Sequence, residues 1–225
     1  YLGSSEFKKV GPALCEVYGG KIDVAKMVMT TGGGATNTAV GFERLGLQTA
    51  AVCAVGKDDW GLFVRKELRR EGVSPLYVQQ VDAPTSYSTI LVAEDGGRTA
   101  LVYRGASNEL SAGKVDWDKL DPNWFYVSSL GGNFNLLSKI IRQSQKQGIK
   151  VVLNPGRQEI RAREKLKQFL PHIEVLLLNR QEAEALGKIS GPKIICVTEG
   201  RQGASLTMGK KKFKAPAVKV KTVEE

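Results

Sequence analysis

Three short motifs combine glycine with polar side chains, and each follows a run of apolar residues. The first occupies residues 32–37 and reads GGGATN, and a helical pattern, TAVGFERLG, follows it directly. Glycine lets a ligand approach the backbone closely, and a helix N-terminus offers free N–H donors. The Asn37 side chain can both donate to and accept from a hydroxyl. The motif favours a site for a hydroxyl-bearing ligand; a tight strand-to-helix turn capped by Asn37 is the alternative.

The second motif pairs Asn179 with Glu182, directly after the apolar run EVLLL and at the start of the helical pattern EAEAL. At the carboxyl end of a strand, these two side chains could hold Mg²⁺ or its water shell beside a triphosphate. A carboxylate in the first turn of a helix also stabilises the helix dipole, so a capping arrangement explains the same residues.

The third motif occupies residues 198–204 and reads TEGRQGA, again after an apolar run. Thr198 offers a hydroxyl, and the two glycines, Gly200 and Gly203, permit a backbone cradle for an anion. The motif is neither a Walker A sequence nor the Rossmann fingerprint. An ordinary β-turn is the alternative.

The elements that must position these motifs alternate apolar runs with amphipathic stretches. The runs LQTAAVCAVG, NWFYVSSLGG, KVVLNPG, EVLLLN and KIICVTEG predict strands, and DWGLFVRKELRREGV and NLLSKIIRQSQKQGI predict helices. The strands have lost polar alternation, which is typical of a parallel sheet covered by helices on both faces. Ligands of such sheets bind at the carboxyl ends of the strands, where the three motifs fall.

Two segments predict a small separate β-layer. Residues 85–104 alternate apolar and polar side chains around the turn Asp95–Gly96–Gly97, and residues 13–31 give a similar pattern around Gly19 and Gly20. This layer could cover a substrate site as a lid, or it could form the contact of a homodimer, and the two roles are compatible.

Composition indicates an ordinary globular protein with a formal net charge of +10. The cations cluster at residues 139–150, 161–167 and 210–214, which we interpret as solvated faces because no nucleic-acid motif accompanies them. We therefore predict no nucleic-acid partner. No apolar run reaches the roughly 20 residues of a membrane span, so no membrane partner is predicted either. Two of the three cysteines lie in strand-like runs, which favours reduced thiols and a cytoplasmic location.

In combination and order, these motifs resemble the ribokinase-like (PfkB) carbohydrate kinase family. The family patterns are Gly-Gly-x-x-x-Asn, Asn-x-x-Glu and Thr-x-Gly-x-x-Gly. They match, in that order, Gly32, Gly33 and Asn37; Asn179 and Glu182; and Thr198, Gly200 and Gly203. The segments GRTALVYRGAS, WFYVSSLGGN and LNPG resemble further parts of the family, and the similarity extends over nearly the whole chain, from about Leu14 to Val220.

The resemblance implies an α/β fold with a parallel-sheet core, helices on both faces and a β lid formed by about residues 13–31 and 85–104. It implies a substrate site at Gly32, Gly33, Asn37, Ala106 and Gly131. It implies an ATP site at Asn154, Asn179, Glu182, Thr198, Gly200 and Gly203, with Mg²⁺ held by Glu182 through water. The implied reaction is in-line transfer of the γ-phosphoryl group to the hydroxymethyl oxygen of a sugar.

The sequence also departs from the family pattern. The family's Gly-Ala-Gly-Asp motif, whose aspartate takes the hydroxyl proton, does not occur, so no catalytic residue is assigned. An N-terminal substrate-binding Asp and a helix near residues 187–191 are missing as well. We expect one domain over residues 1–225 that is incomplete at its C-terminus and belongs to a longer parent protein, and an intact mass matching the printed chain alone would contradict this.

Alternatives remain open at this point. A nucleoside kinase on the same fold is the nearest alternative to a sugar kinase, although no stacking slot for a purine is assignable in the sequence. A catalytically inactive ligand-binding homologue would fit if the Gly-Ala-Gly-Asp motif is absent from the parent protein too. The sequence names no particular sugar, and a homodimer through the lid is favoured modestly over a monomer.

Overall fold

A six-stranded sheet organises most of the chain in the computed structural model, which describes residues 19, 21, 23–92 and 98–219. Its strand order is β10-β9-β8-β7-β6-β5. The sheet comprises β5 (Trp124–Val127), β6 (Lys150–Leu153), β7 (Val175–Asn179), β8 (Ile194–Thr198), β9 (Ala204–Met208) and β10 (Lys211–Ala215). Strands β5 to β8 are parallel, and β9 and β10 extend the sheet in antiparallel pairing.

Four further strands form two separate pairs. β1 (Cys53–Gly56) pairs in parallel with β2 (Val78–Val81), and β3 (Tyr87–Val92) pairs antiparallel with β4 (Arg98–Tyr103). The helices are α1 (Gly34–Arg44), α2 (Asp59–Arg70), α3 (Phe134–Gln147), α4 (Arg157–Arg161), α5 (Arg163–Lys167) and α6 (Arg180–Leu186). The mostly parallel sheet with intervening helices confirms the predicted α/β class.

The main hydrophobic core lies on one face of the large sheet. Alternate residues of the central strands point into it, among them Leu153, Leu176 and Leu178, each no more than 2% exposed. The amphipathic helix α3 supplies the opposing layer with a row of apolar residues that includes Leu137 and Ile141. This periodicity of two in the strands and about 3.6 in the helix is what the sequence pattern required.

The opposite face of the sheet is covered differently. Helix α1 packs there against β5, where the rings of Phe42 and Tyr126 meet edge-on with centroids 5.5 Å apart. On the neighbouring strands the side chains of this face, such as Val152, Leu177 and Cys196, are only half-buried in the described part of the chain. α1 thus places the GGGATN motif beside the carboxyl end of β5, on the face of the sheet away from the main core.

A partly buried hydrogen-bond network joins β1, α2 and the base of the β3–β4 hairpin. The Asp58 carboxylate caps α2 by accepting from the Gly61 backbone N–H at 2.8 Å. It also accepts from the Thr85 hydroxyl at 2.5 Å and the Thr85 backbone N–H at 2.7 Å. The same hydroxyl accepts from the Gly56 N–H at 2.8 Å. Asp58 therefore holds the base of the hairpin, at Thr85, next to the end of β1 and the start of α2.

The element predictions have different outcomes. The five predicted strand runs form β1, β5, β6, β7 and β8, and the two predicted helices form α2 and α3. The antiparallel strands β9 and β10 were not predicted. Helix α2 ends before Gly72, which has a φ of 80°. The strand expected within residues 23–31 is wrong: these residues form no strand, and Val24, Met27 and Val28 are at least 66% exposed. Residues 13–18, 20 and 22 and the turn at 93–97 lie outside the described residues, so the first half of the predicted lid stays a prediction.

The two cysteines within the described residues, Cys53 and Cys196, are free thiols. Burial raises the pKa of the Cys53 thiol to about 11, so it is protonated at neutral pH. His172 lies in a 3₁₀ turn before β7, where its Nδ1 is 3.1 Å from the Gln145 side-chain nitrogen, consistent with a structural role. Among the described helices, none combines the length and apolar character that crossing a bilayer requires.

The Asp58 network predicts a pH-dependent part of the stability. The Thr85 hydroxyl is the main cause that lowers the pKa of Asp58 below its ordinary value. A carboxyl with a lowered folded-state pKa stabilises the fold above its unfolded pKa of about 4, and this contribution is lost as the pH falls through the folded value. Thr85→Val removes the hydroxyl, so we expect its stability to depend less steeply on pH below about 4 than that of the wild type.

Urea unfolding over a pH series checks this prediction. Thr85→Ser is the matched control because it keeps the hydroxyl, and it should follow the wild-type pH dependence. Parallel curves for the wild type and Thr85→Val would show that Asp58 does not depend on the Thr85 hydroxyl.

Candidate functional site

The loops that follow the parallel strands lie side by side at one edge of the sheet. Because β5 to β8 are consecutive neighbours, their carboxyl ends bring Ser128, Asn154, Asn179 and Thr198 into one row. These positions are separated by up to 70 residues in the sequence. The sheet therefore assembles polar groups that the chain supplies one strand at a time.

The predicted nucleotide-side residues of β6, β7 and β8 are brought together. Asn179 and Thr198 are direct partners in the β7–β8 register. The Asn154 side-chain amide donates to the Leu177 carbonyl of β7 at 3.0 Å, and the Thr198 hydroxyl approaches the Leu178 carbonyl at 3.4 Å. The side chains at these strand ends are thus anchored to the sheet before any ligand arrives.

Asn179 and Glu182 form a reciprocal capping box at the start of α6. The Asn179 Oδ1 accepts from the Glu182 N–H at 2.9 Å, and the Glu182 Oε2 accepts from the Asn179 N–H at 2.8 Å. The capping interpretation of this motif is therefore realised in the structure. It is compatible with a ligand role, because the box uses only one of the two carboxylate oxygens.

The donor set at this point suits a hydrated metal ion better than a directly coordinated one. No group of three His, Cys, Asp or Glu side chains with metal-binding geometry occurs in the part of the chain that the structure describes. Mg²⁺ keeps several waters and is commonly bound through one or two carboxylates together with phosphate oxygens of the substrate. Glu182, half-buried beside the strand ends, fits a carboxylate that contacts Mg²⁺ through water.

The turn after β8 is closed on itself by backbone hydrogen bonds. The Glu199 N–H donates to the Gly203 carbonyl at 2.8 Å, and the Gly203 N–H donates to the Gly200 carbonyl at 2.9 Å. Gly203 has a φ of 95°, and a Cβ at this position would lie 2.0 Å from the Ala215 carbonyl oxygen of β10. Glycine is required here by both the backbone angle and the close approach of β10.

Arg180 connects this turn to the start of α6 and was not identified from the sequence. Its guanidinium lies 3.2 Å from a Glu199 carboxylate oxygen and also donates to the Gln202 side-chain oxygen. The arginine stands next to Asn179 in the motif NRQE, which was the one available signal. A partly exposed cation at this edge would favour an anionic ligand.

The first motif lies at the start of α1, which begins at Gly34, four residues before the predicted pattern. No side-chain hydrogen bond caps the helix, so the alternative of a cap by Asn37 is wrong. Gly33 has a φ of 101° and immediately precedes the helix, and the Thr36 hydroxyl donates back to the Gly32 carbonyl at 2.6 Å. The Asn37 side chain remains exposed. A Cβ on Gly34 would lie 2.5 Å from both Cβ and Oγ of Ser128, so this motif packs directly against the loop after β5.

The other two predicted substrate residues differ in accessibility. Gly131 is exposed in the loop after β5, and a Cβ on it would lie 3.7 Å from the Asn108 side-chain oxygen. Ala106 is fully buried and its N–H donates to the Pro84 carbonyl at 2.8 Å, so its methyl group does not face solvent. The exposed Asn108, two residues further on, is the polar group that the sequence analysis missed.

Glu159 is a second residue that the sequence analysis missed. Its side chain is only 2% exposed, and its carboxylate accepts hydrogen bonds from the loops after both β5 and β6. Glu159 follows Gly156 by three residues in NPGRQE, which is half of a capping-box pattern. Nothing in that local pattern indicates the partners that lie nearly 30 residues earlier.

Comparison with known proteins places the chain in a family. The sequence profile of the pfkB family of carbohydrate kinases matches residues 10–224. A ribokinase from Bacillus subtilis is 24% identical over 205 residues, which span 86% of this chain and 68% of the relative.

Solved structures share the fold at similarly low identity. The adenosine kinase from Sinorhizobium meliloti superposes with a TM-score of 0.78 at 24% identity, covering 88% of this chain and 67% of that one. A putative ribokinase II from E. coli, solved in complex with ATP and Mg²⁺, superposes with a TM-score of 0.76 at 20% identity, covering 90% and 74%. Since the family profile spans nearly the whole chain and the architecture agrees, this protein belongs to the pfkB family of carbohydrate kinases, which are phosphotransferases acting on an alcohol group.

Proposed function

We propose that this protein phosphorylates the hydroxymethyl group of a sugar, with ATP as phosphoryl donor and Mg²⁺ as cofactor, as a ribokinase- or fructokinase-like enzyme. One observation carries the proposal: the two predicted half-sites adjoin the same edge of one sheet. Asn179 pairs with Thr198 on the nucleotide side, and Gly34 packs against Ser128 on the acceptor side. The solved relative with ATP and Mg²⁺ supports this choice of donor and metal.

The nucleotide side comprises Asn154, Asn179, Glu182, Thr198, Gly200 and Gly203. Backbone N–H groups of the turn after β8 and the Arg180 guanidinium would neutralise phosphate charge, and Glu182 would hold hydrated Mg²⁺. When bound, the metal ion would neutralise charge on the phosphate oxygens. Such a site accelerates transfer mainly by positioning the reactants and stabilising charge.

The acceptor side comprises Gly32, Gly33, Asn37 and Gly131, and Ala106 is buried in a small apolar cluster with Ala54 and Val81. The Asn37 amide can bind a sugar hydroxyl as donor and as acceptor, and the glycines leave room for the ring. In the transfer, the acceptor oxygen attacks the γ-phosphorus, the bond to the β–γ bridging oxygen breaks, and the hydroxyl proton leaves to a base. We assign that base to no residue of the printed sequence.

A nucleoside kinase is the second candidate, since the adenosine kinase from Sinorhizobium meliloti shares the fold with a TM-score of 0.78. The two candidates differ only in the acceptor, so the same nucleotide half-site serves both. A cytoplasmic location goes with either, because ATP is available there and the thiols of Cys53 and Cys196 are free. Cell fractionation tests this location, and recovery in a secreted fraction would contradict it.

Release of ADP from ATP and Mg²⁺ tests the proposed reaction. Full-length protein is assayed with ribose, fructose, other ketoses, adenosine and other nucleosides, and omission of Mg²⁺ is the control. We expect Mg²⁺-dependent turnover with one sugar at a rate above that with any nucleoside. A higher rate with a nucleoside would contradict the assignment of a sugar as the acceptor. No turnover with any compound would favour an inactive ligand-binding homologue.

Substitution of Glu182 separates its capping role from a metal role. Glu182→Gln keeps a hydrogen-bond acceptor for the Asn179 N–H but removes the charge. We expect the Mg²⁺ concentration for half-maximal activity to rise about tenfold, while the loss of stability stays within about 1 kcal/mol, the range of a helix cap.

Glu184→Gln is the matched control, because Glu184 lies on the same helix and is exposed. It should leave both the Mg²⁺ requirement and the stability unchanged. An unaltered Mg²⁺ requirement in Glu182→Gln would reduce Glu182 to a capping residue.

We also propose a homodimer formed through the β3–β4 hairpin. Both faces of this two-stranded sheet expose apolar side chains, including Tyr87 and Leu101 on one face and Ile90 and Val102 on the other. These four side chains are 47 to 58% exposed, which is unfavourable for an isolated hairpin in water. A partner surface or a closed ligand site would bury them.

Sedimentation velocity tests the dimer. The double substitution Ile90→Lys and Val102→Lys places two charges on one face of the hairpin, and we expect it to shift a dimeric wild type to monomer. Leu62→Lys, at a residue 59% exposed on α2, is the control and should leave the dimer intact. A monomeric wild type at micromolar concentration would contradict the proposal.

A further inference from the structure

Glu159 is the one buried charged side chain in the part of the chain that the structure describes. A carboxylate out of water is strongly destabilising unless hydrogen bonds replace its hydration. Glu159 receives four such bonds, three from backbone N–H groups and one from a hydroxyl. Four hydrogen-bond donors therefore replace the hydration of this one carboxylate beside the candidate site.

The two oxygens of this carboxylate serve two different loops. Oε1 accepts from the Leu130 N–H at 3.0 Å and from the Gly132 N–H at 2.7 Å, both in the loop after β5. Oε2 accepts from the Gly156 N–H at 2.8 Å, in the loop after β6. The Ser129 hydroxyl donates to Oε2 at 3.2 Å and ties the first loop to the second oxygen as well.

Each of these loops belongs to one half of the proposed site. The loop at residues 129–132 contains Gly131 and directly follows Ser128, which packs against Gly34 of the acceptor motif. The loop at residues 154–156 begins with Asn154 on the nucleotide side, which is itself hydrogen-bonded to β7. One buried side chain thus anchors a loop of the acceptor side and a loop of the nucleotide side.

The two loops are in close contact at Gly156. A Cβ on Gly156 would lie 2.1 Å from the Ser129 Oγ and 3.1 Å from the Glu159 Oε2. The Ser129 side chain of the first loop therefore packs against the Gly156 backbone of the second, with the carboxylate beside the contact.

We propose that Glu159 is a positioning residue that sets the spacing between the acceptor-side loop 129–132 and the nucleotide-side loop 154–156. The proposal rests on the proposed function, because alignment of an acceptor hydroxyl with a phosphoryl group is what the spacing would serve. A displacement of about 1 Å between reactants can lower a rate by about a hundredfold, even when each reactant still binds. Glu159 touches neither reactant and acts through the loops.

Glu159→Gln in the full-length protein tests this role. The amide keeps the size of the side chain but replaces one acceptor oxygen with a donor, which must then face one of the N–H groups. We expect kcat to fall about tenfold to a hundredfold, while the KM values for ATP and for the acceptor each change less than about threefold. An inactive misfolded fraction would also lower the apparent kcat at unchanged KM, but only in proportion to its amount, so circular dichroism and the melting temperature are measured on the same sample.

Glu43→Gln is the matched control. Glu43 likewise holds a loop, since its carboxylate accepts from the Thr49 N–H at 2.9 Å and the Thr49 hydroxyl at 2.7 Å, but it lies at the far end of α1. We expect a comparable loss of melting temperature and a kcat within about twofold of the wild type. Equal kcat values for the two variants, per folded molecule, would overturn the positioning role.

The outcomes separate this proposal from the proposed function. A wild type without kinase activity toward any acceptor overturns both, whereas an active wild type with an equally active Glu159→Gln overturns the positioning role alone. If Glu159→Gln does not fold, Ser129→Ala decides the matter, because it removes one donor and leaves the three backbone bonds. A threefold or so decrease in kcat with unchanged KM values supports the proposal, and an unchanged kcat contradicts it.

Discussion

The parallel pairing of β5 to β8 is the constraint on which the site depends. Parallel neighbours end at the same edge, so each crossover of the chain delivers one more polar loop to that edge. The pairing is maintained by the core under one face, where Leu176 and Leu178 of the central strand are almost completely buried. The position of Asn179 opposite Thr198 is therefore a consequence of the hydrophobic packing of residues one and three positions earlier.

In the proposed site, the groups that form local structure at this edge would also bind the ligand. Asn179 and Glu182 cap α6, and the glycines after β8 close a turn against β10. These roles do not compete with phosphate binding, because each leaves polar atoms or backbone N–H groups at the strand ends. They pre-organise the site, so that less ordering has to accompany binding. Glu159 contributes to this pre-organisation by holding two loops together, the one after β5 and the one after β6.

The sequence was sufficient for the parallel strands of the sheet and for the positions of the three motifs after strands or at a helix start. It was insufficient for the antiparallel strands β9 and β10 and for residues whose partners are distant. Apolar runs such as EVLLLN predict strands of a covered parallel sheet, because such strands lack the alternation of polar and apolar residues seen in half-exposed strands. The run at residues 23–31 has similar composition but no strand forms there, since Val24 and Met27 remain exposed and pair with nothing in the described chain. Glu159 could not be predicted, because its three loop partners at 129–132 become neighbours only after β5 and β6 pair. The motif containing Ala106 was found, but its burial depends on contacts with β1 and β2 that the local sequence does not show.

A crystal structure of the full-length protein with Mg²⁺, a non-hydrolysable ATP analogue and the best acceptor tests the central claim most directly. The account predicts phosphates at the turn after β8, beside Thr198 and Gly203, and an acceptor hydroxyl hydrogen-bonded to Asn37 and pointing toward the γ-phosphate. It also predicts that Glu159 keeps its hydrogen bonds to the loops at residues 129–132 and 154–156 when both ligands are bound. Nucleotide bound away from the carboxyl ends of β6 to β8, or an acceptor without contact to residues 32–37, would contradict it.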